Sequence, residues 1–125
     1  MASRLARVTS AGNPWLVAEL DGQPAAYAYA AQFRERPGYA RLCEHSVYVA
    51  PAAQRAGLAR ALMLALMPAC ARIGYTRMLA VIGGPEPSSI ALHASLGFTE
   101  CGRIARSGRK FGRWLDTVMM ERALL

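Results

Sequence analysis

Residues 46–62 read SVYVAPAAQRAGLARAL, an apolar β-branched run that passes through a proline turn into an alanine- and leucine-rich run. Gln54, Arg55, Ala56, Gly57, Leu58, Ala59 and Arg60 occupy the junction. A strand that ends here and feeds a helix leaves several backbone N–H groups without acceptors, at the positive end of the helix dipole. The chemistry available is anion binding, and phosphate above all. Gly57 and Ala59 leave room for phosphate oxygens to reach the amides, while Arg55 and Arg60 add formal positive charge. The spacing is neither GxxxxGK(S/T) nor GxGxxG, so a nucleoside triphosphate or dinucleotide site is not indicated. Taken alone, the stretch reads better as an ordinary strand–helix turn.

The elements that would position this junction follow from periodicity and turn signals. Asp21-Gly22 between two apolar runs marks a hairpin, with strands near 15–20 and 24–32. RERPGY, residues 34–39, is a loop, and RLCEHSVYVA resumes a strand. On that strand Glu44, Ser46 and Tyr48 point to one face, and His45, Val47 and Val49 to the other. A helix follows from about Gly57 to Ile73, with Leu58, Leu62, Ala65, Leu66, Ala69 and Ile73 as its buried stripe. Pro68 inside it removes a bond to the carbonyl of Leu64 and predicts a kink. Gly74 ends the helix. YTRMLAVIG is a strand, GGPEP a loop and SSIALHASL a short helix with Gly97 at its end. FTECGRIAR and RWLDTVMMERAL are strands about a turn at Ser107-Gly108. The order β-β-β-α-β-α-β-β predicts one domain of α/β (α+β) type, a mixed sheet with helices packed on it.

Composition narrows the class. The 125 residues suffice for one core, and 54% hydrophobic content with 18% charged residues describes an ordered globular chain. The run from Leu58 to Ile73 is broken by Arg60, Pro68 and Arg72, so no membrane span is expected. MASRLARVTS has no apolar block behind its arginines, so no signal peptide is visible. Cys43, Cys70 and Cys101 lack metal-site spacing and read as small buried hydrophobes in a reducing, cytoplasmic setting, with no metal bound. A net charge of +7 favours a polyanionic partner, either nucleic acid or a phosphorylated cofactor. No recognised nucleic-acid motif accompanies the charge, which makes nucleic acid the weaker partner.

Three motifs carry a resemblance. Gln54-x-x-Gly57-x-Ala59 after SVYV resembles the acetyl-CoA pyrophosphate motif of the GNAT N-acetyltransferases. SSIALHASLGF, residues 88–98, resembles the second signature of that superfamily. CEHSVYV, AVIG and KFGRWLDTVMMERAL look like its phosphinothricin and methionine sulfoximine acetyltransferase branch. The resemblance runs from about Trp15 to Leu124. It implies a GNAT-like, mostly antiparallel sheet flanked by helices. It also implies acetyl-CoA as cosubstrate and direct attack by the primary amine of a small molecule, an amino acid or analogue.

The resemblance also implies roles. Such chemistry needs a base for the amine, donors for the oxyanion and a proton for the departing thiolate. Glu44 matches the branch glutamate and is the base, acting directly or through water, set against a reading as an acidic strand residue paired with an arginine. His93 stands where many of these enzymes carry a proton-donating tyrosine; its alternative is a satisfied structural histidine. His45, on the opposite face, reads as packed, with its ring a fallback base. Val47, Tyr48 and Val49 offer main-chain groups to pantetheine. Residues 55–60 cradle the pyrophosphate. Ser89 caps its helix or contacts the cofactor arm. Arg36, Pro37, Gly38 and Tyr39 border the acceptor, with Arg36 gripping a carboxylate. Phe111 and Trp114 serve the core or a dimer contact, and the apolar last strand is compatible with a homodimer.

The sequence departs from the pattern in three places. The usual first strand and helices do not precede Trp15, and MASRLARVTS would be the tail of the second helix. Glu86 replaces an asparagine, in a loop one residue short. Pro68 lies inside the cofactor-binding helix. The competing readings are therefore a truncated module that holds CoA without turnover and, more weakly, a basic nucleic-acid-binding domain.

Overall fold

The computed structural model describes residues 2–84 and 86–124. Helix α1 (Ala2–Ser10) leads into β1 (Trp15–Leu20) and β2 (Gln23–Gln32), followed by β3 (Leu42–Val49), α2 (Leu58–Arg72), β4 (Arg77–Gly83), α3 (Pro87–Ser95), β5 (Thr99–Lys110) and β6 (Arg113–Ala123). The six strands form one sheet in the order β1-β2-β3-β4-β6-β5. Every neighbouring pair is antiparallel except β3 and β4, which the α2 crossover makes parallel. The predicted α/β (α+β) class and element order hold, and Ala2–Ser10 is helical, as expected for MASRLARVTS.

Asp21 and Gly22 both take positive φ, 52° and 78°, as a two-residue hairpin turn requires. The last hairpin differs from expectation. Its turn is Phe111-Gly112, with φ of 52° and 73°, between paired Lys110 and Arg113. Ser107 instead belongs to a bulge, where the register jumps between Ile104 and Gly108. Arg106 turns to φ 53° there, and its N–H donates to Asp116 Oδ1 at 3.0 Å while Arg103 donates to Asp116 Oδ2 at 3.0 Å. The Asp116 carboxylate stabilises the extra residues, so the Ser-Gly pair bends the strand without ending it.

The core lies between the sheet and α2. It joins Ala26, Ala28 and Ala30 of β2, Cys43 of β3, Met78, Ala80 and Ile82 of β4, and Val118 and Met120 of β6 to the helix. The buried helix positions are Leu62, Met63, Leu66, Met67 and Cys70. The stripe is thus rotated from the expected one: Ala65 and Ile73 are exposed, and the methionines take their place. Met63 and Met67 share the core with the short alanines of β2, where long, flexible side chains fill the space those alanines leave. Helix α2 continues through Pro68 to Arg72. Pro68 and Leu64 both face solvent, so the Leu64 carbonyl that loses its N–H partner can bond water. Cys43 and Cys70 are buried as expected, but Cys101 is exposed on the edge strand β5. Among the described residues no helix is long and apolar enough to cross a membrane.

Candidate functional site

The parallel pairing of β3 with β4 runs only from Leu42–Arg77 to Glu44–Leu79, although β3 continues to Val49 and β4 to Gly83. Beyond Glu44 the two strands part. A cavity of about 200 Å³ opens in the gap, lined by Glu44, His45, Ser46, Val47, Ala80, Val81, Ile82, Ser89 and His93.

The register of β3 decides which backbone groups face that gap. Ala50 N donates to Ala25 O and Phe33 N to Leu42 O, so the even-numbered residues of β3 exchange hydrogen bonds with β2. The odd-numbered residues turn their N–H and C=O groups the other way. Val47 and Val49 therefore present main-chain groups to the open side. Tyr48 does not: its backbone pairs with Tyr27, and its ring packs on Tyr27 at 5.4 Å. Its expected place among the main-chain contacts is corrected by strand parity.

Glu44 and His93 reach the cavity from opposite faces of the sheet. Glu44 shares its face with Ala31, Tyr29 and Tyr48, while His45 and His93 lie on the α2 face against Phe98. Burial pushes the Glu44 carboxyl above its ordinary value, and the Arg34 guanidinium partly offsets this. The cation that bears on Glu44 is thus Arg34, on the same loop as Arg36, for which the expected role was a grip on an acceptor carboxylate. Arg36 precedes the short 3₁₀ turn Pro37–Tyr39 and is exposed, as are Gly38 and Tyr39. The Gln32 side-chain amide donates to the carbonyls of Arg34 at 2.6 Å and Arg36 at 2.9 Å, and Phe33 meets Tyr39 edge to face at 5.8 Å. These contacts fix the loop on the rim of the Glu44 face.

His45 and His93 meet directly. Their Nε2 atoms are 3.0 Å apart, and His93 Nδ1 lies 2.8 Å from the Ser89 carbonyl oxygen. Burial first, and the neighbouring His93 second, lower the His45 pKa to about 3. Reading His45 as packed was right about burial and missed its partner, which lies 48 residues away in the chain. Ser89 does not cap α3. The N-cap position is Glu86, without a side-chain cap bond, and Ser89 lies inside the helix.

At the start of α2, Gly57 occupies the N-cap with φ 77° and makes no side-chain cap. Arg55 is also left-handed, at φ 68°. The first bond of the helix runs from Ala61 N to Gly57 O, and the amides of residues 55–60 have no backbone acceptor. Arg55, Ala56 and Gly57 are exposed, and Leu58 and Ala59 half-buried. Arg60 departs from the expected cluster: its Nη1 donates to Ser95 Oγ at 2.9 Å, joining α2 to α3. Phe111, 90% exposed, and Trp114, 50% exposed and flanked by Arg106 and Arg109, lie outside the core.

The profile of the Acetyltransferase (GNAT) family matches residues 3–98. The chain belongs to the GNAT acetyltransferase family. Among curated relatives, this GNAT chain is 43% identical over 125 residues to the phosphinothricin N-acetyltransferase of Alcaligenes faecalis, covering 99% of this chain and 64% of the relative. It is 43% identical over 110 residues to the L-methionine sulfoximine/L-methionine sulfone acetyltransferase of Salmonella typhimurium, covering 88% of this chain and 64% of the relative. The chain thus spans less than two thirds of the length of these relatives. The crystal structure of a GNAT superfamily phosphinothricin acetyltransferase from Sinorhizobium meliloti, in complex with AcCoA, superposes with a TM-score of 0.95 at 45% identity. It covers 98% of this chain and 67% of that one. The GNAT fold is therefore shared across nearly all of this chain.

Proposed function

We propose that the protein is an acetyl-CoA-dependent N-acetyltransferase acting by direct attack of a small-molecule primary amine, an amino acid or analogue. The observation that carries this reading is the parting of β3 from β4, which exposes one backbone edge beside the half-buried carboxylate of Glu44. The donor set fits the cosubstrate. The unpartnered amides of residues 55–60, with Arg55 beside them, suit a diphosphate. The free edge of Val47 and Val49 suits an amide-bearing arm laid along the strand as a substitute for the missing ladder. When bound, acetyl-CoA supplies the activated acyl group.

The chain's own residues do the rest. Glu44, held at a raised proton affinity, takes the proton of the acceptor ammonium directly or through one water. A backbone N–H on the open side of β3 faces the developing negative charge. Arg34 and Arg36, on the loop above Glu44, receive an acceptor carboxylate, and Pro37, Gly38 and Tyr39 form its rim. His93 acts from the opposite face, toward the sulfur side of the gap. Its Nδ1 hydrogen is committed to Ser89 and its Nε2 to His45, so it orders the gap and gives up a proton only if the bond to Ser89 yields.

The buried free thiols Cys43 and Cys70 support a reducing, cytoplasmic setting. Exposed Ile104, Phe111 and Trp114 on the β5–β6 hairpin support pairing with a second copy, which light scattering would read as twice the monomer mass.

Calorimetry with acetyl-CoA, followed by thiol release from acetyl-CoA across a panel of amino acids and analogues, tests the proposal. Saturable binding with amine-dependent thiol release supports it. Binding without release for any amine would reduce the protein to a CoA-holding module, and absence of binding would remove the reading.

A further inference from the structure

The two histidines are the only ones in the chain. Both are buried, His45 at 7% and His93 at 3% exposure, with ring centroids 5.1 Å apart and planes within 20°. Their hydrogens can be counted from their partners. Ser89 O, 2.8 Å from His93 Nδ1, is an acceptor only, so Nδ1 must carry a hydrogen. A neutral His93 then has a bare Nε2, and the 3.0 Å contact requires the hydrogen to sit on His45 Nε2. The reverse assignment would set a bare His93 Nδ1 against the Ser89 oxygen, lone pair to lone pair. His45 is left with a bare Nδ1, the one buried side-chain nitrogen or oxygen without a partner among the described residues. The chain leaves one buried acceptor unpaired, which is costly, to make this bond.

The position of the bond explains why that cost is borne. The last pair joining β3 to β4 is Glu44–Leu79, and His45 is the next residue along β3. From this point no ladder holds β3 against β4. The linkage Ser89 carbonyl–His93–His45 begins where the backbone bonds stop and ties β3 to α3, whose strand β4 forms the other wall of the gap. Phe98 closes the pair edge-on, at 6.0 Å from His45 and 5.1 Å from His93.

We propose that His45 is a positioning residue: its Nε2–H···Nε2 bond to His93 is a strut that sets the width of the open gap between β3 and β4. The proposal rests on the reading of that gap as the acyl-CoA site. A strut of this kind acts on how well the cosubstrate is held and leaves the chemical step to other groups.

The two ring nitrogens can be separated by substitution. In H45Q the side-chain amide lies where Nε2 was and can still donate to His93. In H45L a side chain of similar size fills the space without a donor. The expected result is a KM for acetyl-CoA near the parent value in H45Q and raised on the order of tenfold in H45L, the effect of one buried hydrogen bond. kcat stays within about twofold in both. Nitrogen-15 NMR of the free parent protein, with only two imidazoles to assign, is expected to show His93 as the Nδ1–H tautomer and His45 as the Nε2–H tautomer. H45Q preserves the His93 pattern. Equal KM values for H45Q and H45L, a loss confined to kcat, or a His45 Nδ1–H tautomer would each overturn the strut. Should the parent show no binding heat with acetyl-CoA, the functional reading fails instead. The tautomers of the free protein then still decide the bond, and they do so even if H45L does not fold.

Discussion

Glu44 combines two opposing influences, burial that favours its neutral form and the Arg34 charge that favours its ionised form, and burial prevails. A base must be ionised to act. Turnover, kcat/KM against pH, should therefore fall as pH drops through a midpoint above the ordinary glutamate value. Glu44→Gln should lower kcat by about 10²-fold or more with acetyl-CoA affinity kept, since general bases contribute 10²–10⁴-fold. Unchanged turnover would return Glu44 to the role of an acidic strand residue. His45 gives a stability prediction of opposite origin. Its pKa falls from 6.5 to about 3 on folding, so the fold favours the neutral ring. That contribution is complete above about pH 6.5 and is lost as pH falls toward 3, because the unfolded chain binds the extra proton first. Thermal melts from pH 7 to pH 4 should show a steeper loss for the parent than for H45Q. Parallel curves would contradict the assignment.

At the scale of elements, α2 shows how a rule of local propensity is set aside by placement. A proline at position 68 would be costly on the buried face, but the side it occupies is wet, and the carbonyl it orphans belongs to exposed Leu64. Pro68→Ala restores that bond and should raise stability by about 1–3 kcal/mol, read from denaturant midpoints. No gain would mean that water already satisfies the carbonyl in full, or that the proline's restriction of the unfolded chain matters more. The β5–β6 hairpin carries the complementary lesson. Ser107-Gly108 is a good local turn signal, and Phe111-Gly112 a poor one. The actual turn is chosen by pairing along the length of β6 and by the Asp116 carboxylate, which absorbs the extra residues into a bulge.

For the whole molecule, stability should follow the interior shared by α2 and the sheet. Leu66 is fully buried there, so Leu66→Ala should cost about 2–5 kcal/mol. Exposed Leu64→Ala should cost within about 0.5 kcal/mol. Chemical denaturation of the two variants reads the difference directly, and similar losses would show that the helix is packed on a different side.

Local order was legible in the sequence because it is written in neighbours. The Asp21-Gly22 turn, the alternation of Glu44, Ser46 and Tyr48 against His45, Val47 and Val49, and Gly57 at the head of α2 each depend on residues a few positions apart. The same holds for the motifs that placed the chain among the acetyltransferases. The rotation of α2, the bulge at Asp116, Arg34 beside Glu44 and the bond between His45 and His93 depend instead on partners brought together by the sheet. So does the gap itself: nothing along β3 marks Glu44 as the last residue paired with β4. That limit appears only in the pairing of β3 with β4, which ends at Glu44–Leu79 although both strands continue; it belongs to three-dimensional packing and has no local pattern to reveal it.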